Sequence, residues 1–230
     1  MIRGIVFDLD HTLFDRYGTL RAVLPEMYTR LHDKIPANLS LNDFIEGLIA
    51  QEKKYIYFGW QYTCERLIEQ GIFLPGTRGD DIWHCLFKYC WPIAAVEFPF
   101  TKPTLKKLRE MGYTLALITN GKHEHQALKL KMLGIEKFFD EIIISADIGA
   151  HKPDRKPFDE MSRRLNIAPN ELLYVGDNPL NDVEGSRNAG YIPVWVKTIG
   201  NWAFEDIERC EYEIDTIAEL PELINRVNKI

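Results

Sequence analysis

Short apolar runs that alternate with helical patterns are the feature that most constrains the fold of this chain. The runs are five to seven residues long and rich in Ile, Val, Leu and aromatic side chains, which suits strands covered on both faces. The alternation predicts βαβ units, and therefore an α/β fold with a Rossmann-like, mostly parallel sheet. The predicted strands are 2–8, 113–119, 141–145, 172–177 and 191–196, and the predicted helices are 103–111, 124–133, 157–166 and 179–189.

A long stretch without strand patterns, residues 16–96, interrupts this alternation. Its apolar residues recur at helical spacing, and prolines and glycines mark the breaks between helices. We therefore expect an inserted α-helical subdomain at 16–96 and an α/β core formed by 1–15 together with 97–230.

Aromatic residues are concentrated in the second half of the predicted insertion. Twelve of the 27 Phe, Trp and Tyr residues lie between residues 55 and 100. The packed core of a small helical subdomain accounts for such a concentration. The alternative is that Tyr57, Phe58 or Trp60 faces a ligand, because aromatic walls are common in small-molecule pockets.

Charge and composition exclude several classes of protein. The formal net charge is −6 and the basic residues are scattered, so a nucleic acid polymer is an unsuitable partner. No apolar stretch approaches the ~18 residues of a membrane span, and the first apolar run is too short for an export signal. The four cysteines form no CxxC pair, which indicates reduced thiols without zinc. We expect a cytoplasmic protein that binds no membrane, and its oligomeric state is left open.

Paired carboxylates follow the first predicted strand, in the sequence Asp8-Leu9-Asp10-His11-Thr12. Two such groups beside a buried strand end are costly unless a cation or a shared proton relieves their repulsion. An open α/β sheet places its ligand crevice at this edge. The alternative is a turn or helix cap made by Asp10 and Thr12.

Polar groups follow three further predicted strands at the same edge. The second strand ends in Thr119-Asn120-Gly121, which offers a hydroxyl and amides for phosphate oxygens. Lys152 follows the third strand. The fourth strand ends in Gly176-Asp177, with Asp182 five residues further on. Each motif alone is weak, but four on one edge form a specific constellation.

With these residues the sequence resembles the haloacid dehalogenase-like (HAD) hydrolase superfamily. Its four motifs are matched by Asp8-x-Asp10-x-Thr12, by Thr119, by Lys152 and by Gly176-Asp177 with Asp182. The resemblance covers the α/β core, and the helical insertion falls where the subgroup with an α-helical cap carries it. The longer strings around Thr119 and Asp177 look most like phosphatases of that subgroup. His11 departs from the pattern, since many members carry glycine there.

The resemblance implies a phosphatase that hydrolyses a small phosphate monoester through an aspartyl-phosphate. Asp8 would attack phosphorus, and Asp10 would act first as general acid and then as general base. Mg²⁺ would be held by Asp8, the backbone carbonyl of Asp10 and Asp177, with Asp182 nearby. The phosphate would be bound by Thr119, Asn120 and Lys152.

Several alternatives remain open at this stage. On the same fold, a 2-haloacid dehalogenase needs neither an acid nor a metal, so the pairing of Asp10 with Asp177 argues against it, whereas a phosphomutase would keep every motif. A non-catalytic phospho-signalling or phospho-binding protein is the alternative of a different class. Nucleotides, sugar phosphates and triose phosphates are all open as substrates. His123, His125 and His151 are interpreted as structural or solvated.

Overall fold

The protein is described from a computed structural model, which covers residues 1–198, 202 and 204–229. The chain forms two compact units, one made of Met1–Asp15 with Glu97–Ile230 and the other of Arg16–Val96. We refer to them as the α/β unit and the helical unit. In the described residues no helix has both the length and the apolar character needed to cross a membrane.

A parallel sheet organises the α/β unit. Within the described residues it has six strands in the order β3-β2-β1-β4-β5-β6. The predicted parallel sheet and its five strands are confirmed to within two residues. The short sixth strand was missed because its three residues, between the exposed Glu211 and Asp215, form no continuous apolar run. The strands are β1 (Gly4–Phe7), β2 (Thr114–Thr119), β3 (Glu141–Ile144), β4 (Leu172–Gly176), β5 (Ile192–Val196) and β6 (Tyr212–Ile214).

The register of the central strands determines which residues meet at the carboxyl edge. Phe7, the last residue of β1, lies opposite Leu117 of β2 and Val175 of β4. The residues that follow these three positions therefore emerge side by side. All three side chains are fully buried, which explains why the sequence there is continuously apolar rather than alternating.

Helices account for the regular structure of the helical unit. Tyr28, Phe44 and Phe73 pack edge to face in its interior, with ring centroids 5.4 and 5.5 Å apart. Phe58 by contrast is 65% exposed and stacks on Tyr62. The helices are α1 (Arg16–Arg30), α2 (Leu41–Lys54), α3 (Trp60–Glu69) and α4 (Gly79–His84), with a π-helical continuation at Cys85–Cys90 and 3₁₀ turns at His32–Lys34 and Trp91–Ile93.

The helices of the α/β unit connect its strands. All four predicted helices are present, and Gly134 ends one of them in the left-handed region, with φ of 64°. The helix predicted at 179–189 begins as a π-helical segment, Pro179–Glu184, before α9. The α-helices are α5 (Thr101–Glu110), α6 (His123–Leu133), α7 (Ser145–Ile148), α8 (Arg155–Leu165), α9 (Gly185–Asn188) and α10 (Leu220–Val227), with 3₁₀ turns at Glu136–Phe138, Pro169–Glu171 and Ile217–Glu219.

Candidate active site

Three carboxylates meet at the carboxyl edge of the sheet. Asp8 directly follows β1, and its amide donates to the carbonyl of Val175 at 2.9 Å. Asp177 directly follows β4, and its carbonyl accepts a 2.8 Å bond from the Trp195 indole of β5. With Asp182 they form a group whose carboxylate oxygens lie within 4.8 Å of one another. At most 7% of any of the three residues is exposed, so their negative charge is concentrated where water screens it poorly.

A buried lysine lies against this carboxylate group. The ammonium of Lys152 donates to Asp8 Oδ1 at 2.7 Å and to Asp182 Oδ1 at 2.6 Å. It also contacts the hydroxyl of Tyr174 at 2.7 Å and the carbonyl of Ile118 at 3.1 Å. One ammonium therefore joins residues that follow β1 and β4. Tyr174 was not predicted as a site residue, because a tyrosine inside an apolar strand has no distinguishing pattern.

Burial and neighbouring charges together leave the pKa values of Asp8, Asp177 and Lys152 above their ordinary values. Desolvation raises the pKa of Asp8 to about 7, opposed by Lys152. Burial and the neighbouring carboxylates Asp182 and Asp8 also hold the pKa of Asp177 well above its ordinary value. Burial lowers the pKa of Lys152, but Asp182 and Asp8 outweigh it and leave that pKa well above normal. The lysine therefore stays charged and the carboxylates resist full ionisation.

The chain after β4 folds so that Asp182 reaches back to the sheet. Its Oδ2 accepts a 2.9 Å bond from the amide of Asn178, and the Asn178 side chain accepts from the amides of Leu180 and Asn181. These bonds satisfy donors at the start of the π-helical segment. A Cβ atom at Gly176 would collide with the Asp182 carboxylate, which explains glycine there.

The residues at and after the end of β2 form a second part of the site. Thr119 is 1% exposed, and the hydroxyl of Ser145 accepts a 2.9 Å bond from the Gly121 amide. The side chain of Asn120 pairs with the backbone of Lys152 through two 2.9 Å bonds. Asn120 thus fixes the backbone position of Lys152 with its side chain, an arrangement that the sequence motif did not indicate.

Asp10 lies apart from the three-carboxylate group. Lys129 Nζ donates to its two oxygens at 2.7 and 2.8 Å, and Gln126 Nε2 donates to Oδ2 at 3.0 Å. The sequence analysis missed both partners. A signal was present, since Gln126 and Lys129 occupy the positions of α6 that, with Leu130 and Leu133, form one buried helical face.

The turn after Asp10 places residue 11 in a backbone conformation that favours glycine. His11 adopts the left-handed region with φ of 61°, which costs a residue with a Cβ about 1 kcal/mol. Its amide donates to the carbonyl of Phe14 at 3.0 Å, and it is 4% exposed. Thr12 is fully buried beside it. The backbone of residues 11–13 forms a turn, and the alternative in which Asp10 and Thr12 make a turn or helix cap stays a prediction.

Three further histidines, His123, His125 and His151, lie close in sequence to the residues of the site. His123 is exposed and its Nδ1 lies 2.9 Å from Asp147. His125 is half buried, and desolvation lowers its pKa. His151 contacts the hydroxyl of Ser145 through Nδ1 at 2.7 Å. Their positions fit the structural and solvated roles predicted for them.

The three-carboxylate group fits a hard divalent cation. It offers only oxygen donors, which Mg²⁺ prefers to nitrogen or sulfur. In the part of the chain that the structure describes, Lys152 is the one ammonium bonded to this group, so two negative charges are left over when all three carboxylates are ionised. Burial raises the pKa values of Asp8 and Asp177, repulsion between the carboxylates adds to the rise, and a bound cation would relieve that repulsion.

Comparison with known proteins gives one relative that matches nearly the whole chain and another that matches more than half of it. It is 36% identical over 227 residues to the glyceraldehyde 3-phosphate phosphatase of Pyrococcus furiosus, which covers 97% of this chain and 92% of that protein. It is 38% identical over 138 residues to the glyceraldehyde 3-phosphate phosphatase of Methanopyrus kandleri. That match spans 57% of this chain and 58% of the relative.

A solved structure and a family model agree with these relatives. The 2-haloacid dehalogenase of Pseudomonas syringae matches with a TM-score of 0.63 and 25% identity, over 99% of this chain and 100% of that one. The model of the haloacid dehalogenase-like hydrolases matches residues 88–196. Because the identity to a full-length relative is 36% over nearly the whole chain, this protein belongs to the haloacid dehalogenase-like hydrolase family.

Proposed function

We propose that this protein is a Mg²⁺-dependent phosphatase that hydrolyses a small phosphate monoester through an aspartyl-phosphate. The observation that carries the proposal is the buried group of Asp8, Asp177 and Asp182, with Lys152 bonded to two of its members. Burying three carboxylates together costs folding stability, and such groups are typical of binding and catalytic sites. The relatives named as phosphatases support the same reaction class.

Asp8 is the nucleophile in this proposal. Its carboxylate oxygen forms a bond to phosphorus while the bond from phosphorus to the ester oxygen breaks. Protonation would abolish this reactivity, and with a pKa of about 7 the group is easily protonated. Lys152, 2.7 Å from Asp8 Oδ1, favours the ionised form.

Asp10 transfers the protons. It donates one to the departing alkoxide oxygen and then removes one from the water that attacks the phosphorus of the aspartyl-phosphate, which regenerates Asp8. Thr119 and Lys152 hold phosphoryl oxygens during both steps, where transition-state charge is spread. Asn120 contributes by fixing the backbone of Lys152.

Asp8, Asp177 and Asp182 would hold the metal, together with the backbone carbonyl of Asp10. When bound, Mg²⁺ supplies positive charge that offsets the repulsion between the Asp8 carboxylate and a dianionic phosphate. Asp182 would lie beside the metal while its Oδ1 accepts a 2.6 Å bond from Lys152.

Triose phosphates are the first substrates to test, because the relatives over both the full and the partial length are named glyceraldehyde 3-phosphate phosphatases. We propose that 1–15 with 97–230 form the catalytic core and that 16–96 act as a cap that selects the substrate. In this proposal one or more of Tyr57, Phe58 and Trp60 would contact the substrate. A cytoplasmic location stays a prediction from the sequence.

Two alternative reactions on the same fold, and one non-catalytic alternative, differ from a phosphatase in what they release. The structural likeness to a 2-haloacid dehalogenase makes halide release the first alternative. A phosphomutase would produce an isomeric phosphate ester without free phosphate. A non-catalytic phospho-binding protein would form a stable complex and release nothing.

The deciding experiment measures inorganic phosphate released from a panel of metabolite esters that includes glyceraldehyde 3-phosphate. Steady release by the wild-type protein with Mg²⁺, its loss with a chelator and its loss in Asp8→Asn are expected. Asp159→Asn, the same change at an exposed position of α8, is the matched control and should retain turnover. Retained turnover in Asp8→Asn contradicts the nucleophile assignment, and halide release from 2-haloacids without phosphatase activity contradicts the reaction class.

A further inference from the structure

Two buried residues of α6, outside every motif of the sequence, converge on Asp10. Lys129 Nζ lies 2.7 and 2.8 Å from its two carboxylate oxygens, and Gln126 Nε2 lies 3.0 Å from Oδ2. Lys129 is 8% exposed and Gln126 is 3% exposed. The Asp10 side chain itself is 21% exposed, so these contacts are partly shielded from water, where a charge-assisted bond holds its geometry better than on the open surface.

The helix presents the two side chains together. Residues three apart lie on the same face of an α-helix, so Gln126 and Lys129 reach the same carboxylate from adjacent positions. The site leaves room for them at Gly121, where a Cβ atom would stand 3.0 Å from Cγ of Gln126. Gln126 Nε2 also donates to the hydroxyl of Thr119, so one amide joins Asp10 to the threonine at the end of β2.

We propose that Lys129 and Gln126 are positioning residues that fix the carboxylate of Asp10 beside Thr119. The inference rests on the proposed function, in which Asp10 transfers protons and Thr119 holds a phosphoryl oxygen. Lys129 restrains both oxygens of Asp10, which removes rotamer freedom from a side chain that must meet the ester oxygen. Gln126 donates from one amide nitrogen to both Asp10 and Thr119, and so it fixes the distance between the general acid and the residue that holds the phosphate.

The positioning role predicts that Lys129 acts through Asp10. A displacement of about 1 Å costs a catalytic group roughly 100-fold, so Lys129→Met should lower kcat by roughly 10- to 100-fold on an alkyl phosphate, whose leaving group needs the acid. The loss on p-nitrophenyl phosphate should be several-fold smaller, because that leaving group departs without a proton. KM should change little, because in this proposal Lys129 holds Asp10 and takes no part in binding the phosphate.

Gln126→Leu gives a second, different signature. Because Gln126 contacts both Asp10 and Thr119, its loss should raise KM and lower kcat together. Lys131→Met is the matched control, since Lys131 is an exposed residue of the same helix and its loss should leave both constants unchanged.

The test measures kcat and KM on both esters for Lys129→Met, Asp10→Asn and the double variant. If Lys129 acts through Asp10, Lys129→Met changes kcat less than about threefold once Asp10 is replaced. Equal losses on both esters, or full additivity in the double variant, overturn the inference while wild-type turnover leaves the proposed function standing. A crystal structure of Lys129→Met in which Asp10 keeps its place also overturns it. A wild-type protein that hydrolyses neither ester overturns the proposed function.

Discussion

The two units of the molecule bury charge in different ways. In the α/β unit Asp8, Asp177 and Asp182 share one ammonium, Lys152, so negative charge is in excess. In the helical unit the buried Glu52 is paired with Arg16 at 2.8 Å, and the charges balance. The Arg16 guanidinium also lies over the rings of Trp60 and Trp91, 5.2 and 6.0 Å from their centroids.

The difference separates a charge arrangement suited to structure from one suited to chemistry. A balanced buried pair completes its own electrostatics, and removing one partner mainly costs stability. Burial above all, and the neighbouring carboxylates in addition, raise the pKa values of Asp8 and Asp177, and a further cation would relieve the excess of negative charge. The carboxylates of the α/β unit therefore offer a site for a cation, and the ion pair of the helical unit does not.

The largest expected effect is on the unbalanced group. Lys152→Met removes the ammonium bonded to Asp8 and Asp182 and also a proposed phosphate contact, so turnover should fall on the order of 10³-fold. Without metal the free energy of unfolding should fall by about 3–5 kcal/mol, because the carboxylates lose their compensating charge. Denaturant unfolding with and without Mg²⁺ checks this, and Mg²⁺ should recover part of the loss. An unchanged unfolding free energy would contradict the claim that Lys152 compensates an excess of buried negative charge.

The next effect concerns metal and pH. The raised pKa of Asp8 means that the folded state holds its proton more tightly than the unfolded state, so metal-free stability falls as pH rises from about 4 to about 7. Mg²⁺ needs ionised ligands, so it should stabilise the protein more at about pH 8 than at about pH 5. At a concentration of 100 times Kd the gain is about 2.7 kcal/mol, or about 5–10 °C in Tm.

Thermal unfolding at the two pH values measures this dependence directly. Asp177→Asn is the informative variant, since it removes one proposed ligand and should reduce the Mg²⁺-dependent increase in Tm at the higher pH. A larger increase at the lower pH, or the same increase in Asp177→Asn, would show that Mg²⁺ stabilises the protein elsewhere.

The smallest expected effect belongs to the balanced pair. Glu52→Gln leaves Arg16, 17% exposed, without its partner and should lower the free energy of unfolding by about 1–2 kcal/mol. Hydrolysis of p-nitrophenyl phosphate per folded molecule should stay within about threefold of wild type. A loss of turnover comparable with that of Lys152→Met would show that the buried charge of the helical unit also serves the reaction.

The strands and most helices were predictable because each has a local pattern. Continuous apolar runs mark β1 to β5, and a glycine in the left-handed region ends α6 as expected. The short β6 at Tyr212–Ile214 has no such pattern, since its formation depends on pairing with β5. Likewise, periodicity does not separate the π-helical turn at Pro179–Glu184 from an ordinary helix.

The candidate site was predictable where a side chain follows a strand end. Asp8, Thr119 and Asp177 are brought to one edge by the parallel register alone. Gln126 and Lys129 were not found, because their importance depends on which way α6 faces. Asn120 was interpreted as a phosphate ligand, yet its side chain pairs with the backbone of Lys152, a contact between residues 32 positions apart.

The central claim is that Asp8 carries the phosphoryl group during turnover. The most direct measurement quenches the reaction in acid and locates the added phosphoryl mass by peptide sequencing, using wild-type protein and Asp10→Asn, in which hydrolysis of the aspartyl-phosphate should be slowed. The phosphoryl group is expected on Asp8, to a higher occupancy in Asp10→Asn, and nowhere in Asp8→Asn. Phosphoryl transfer to another residue, or phosphate release that persists in Asp8→Asn, would contradict the account.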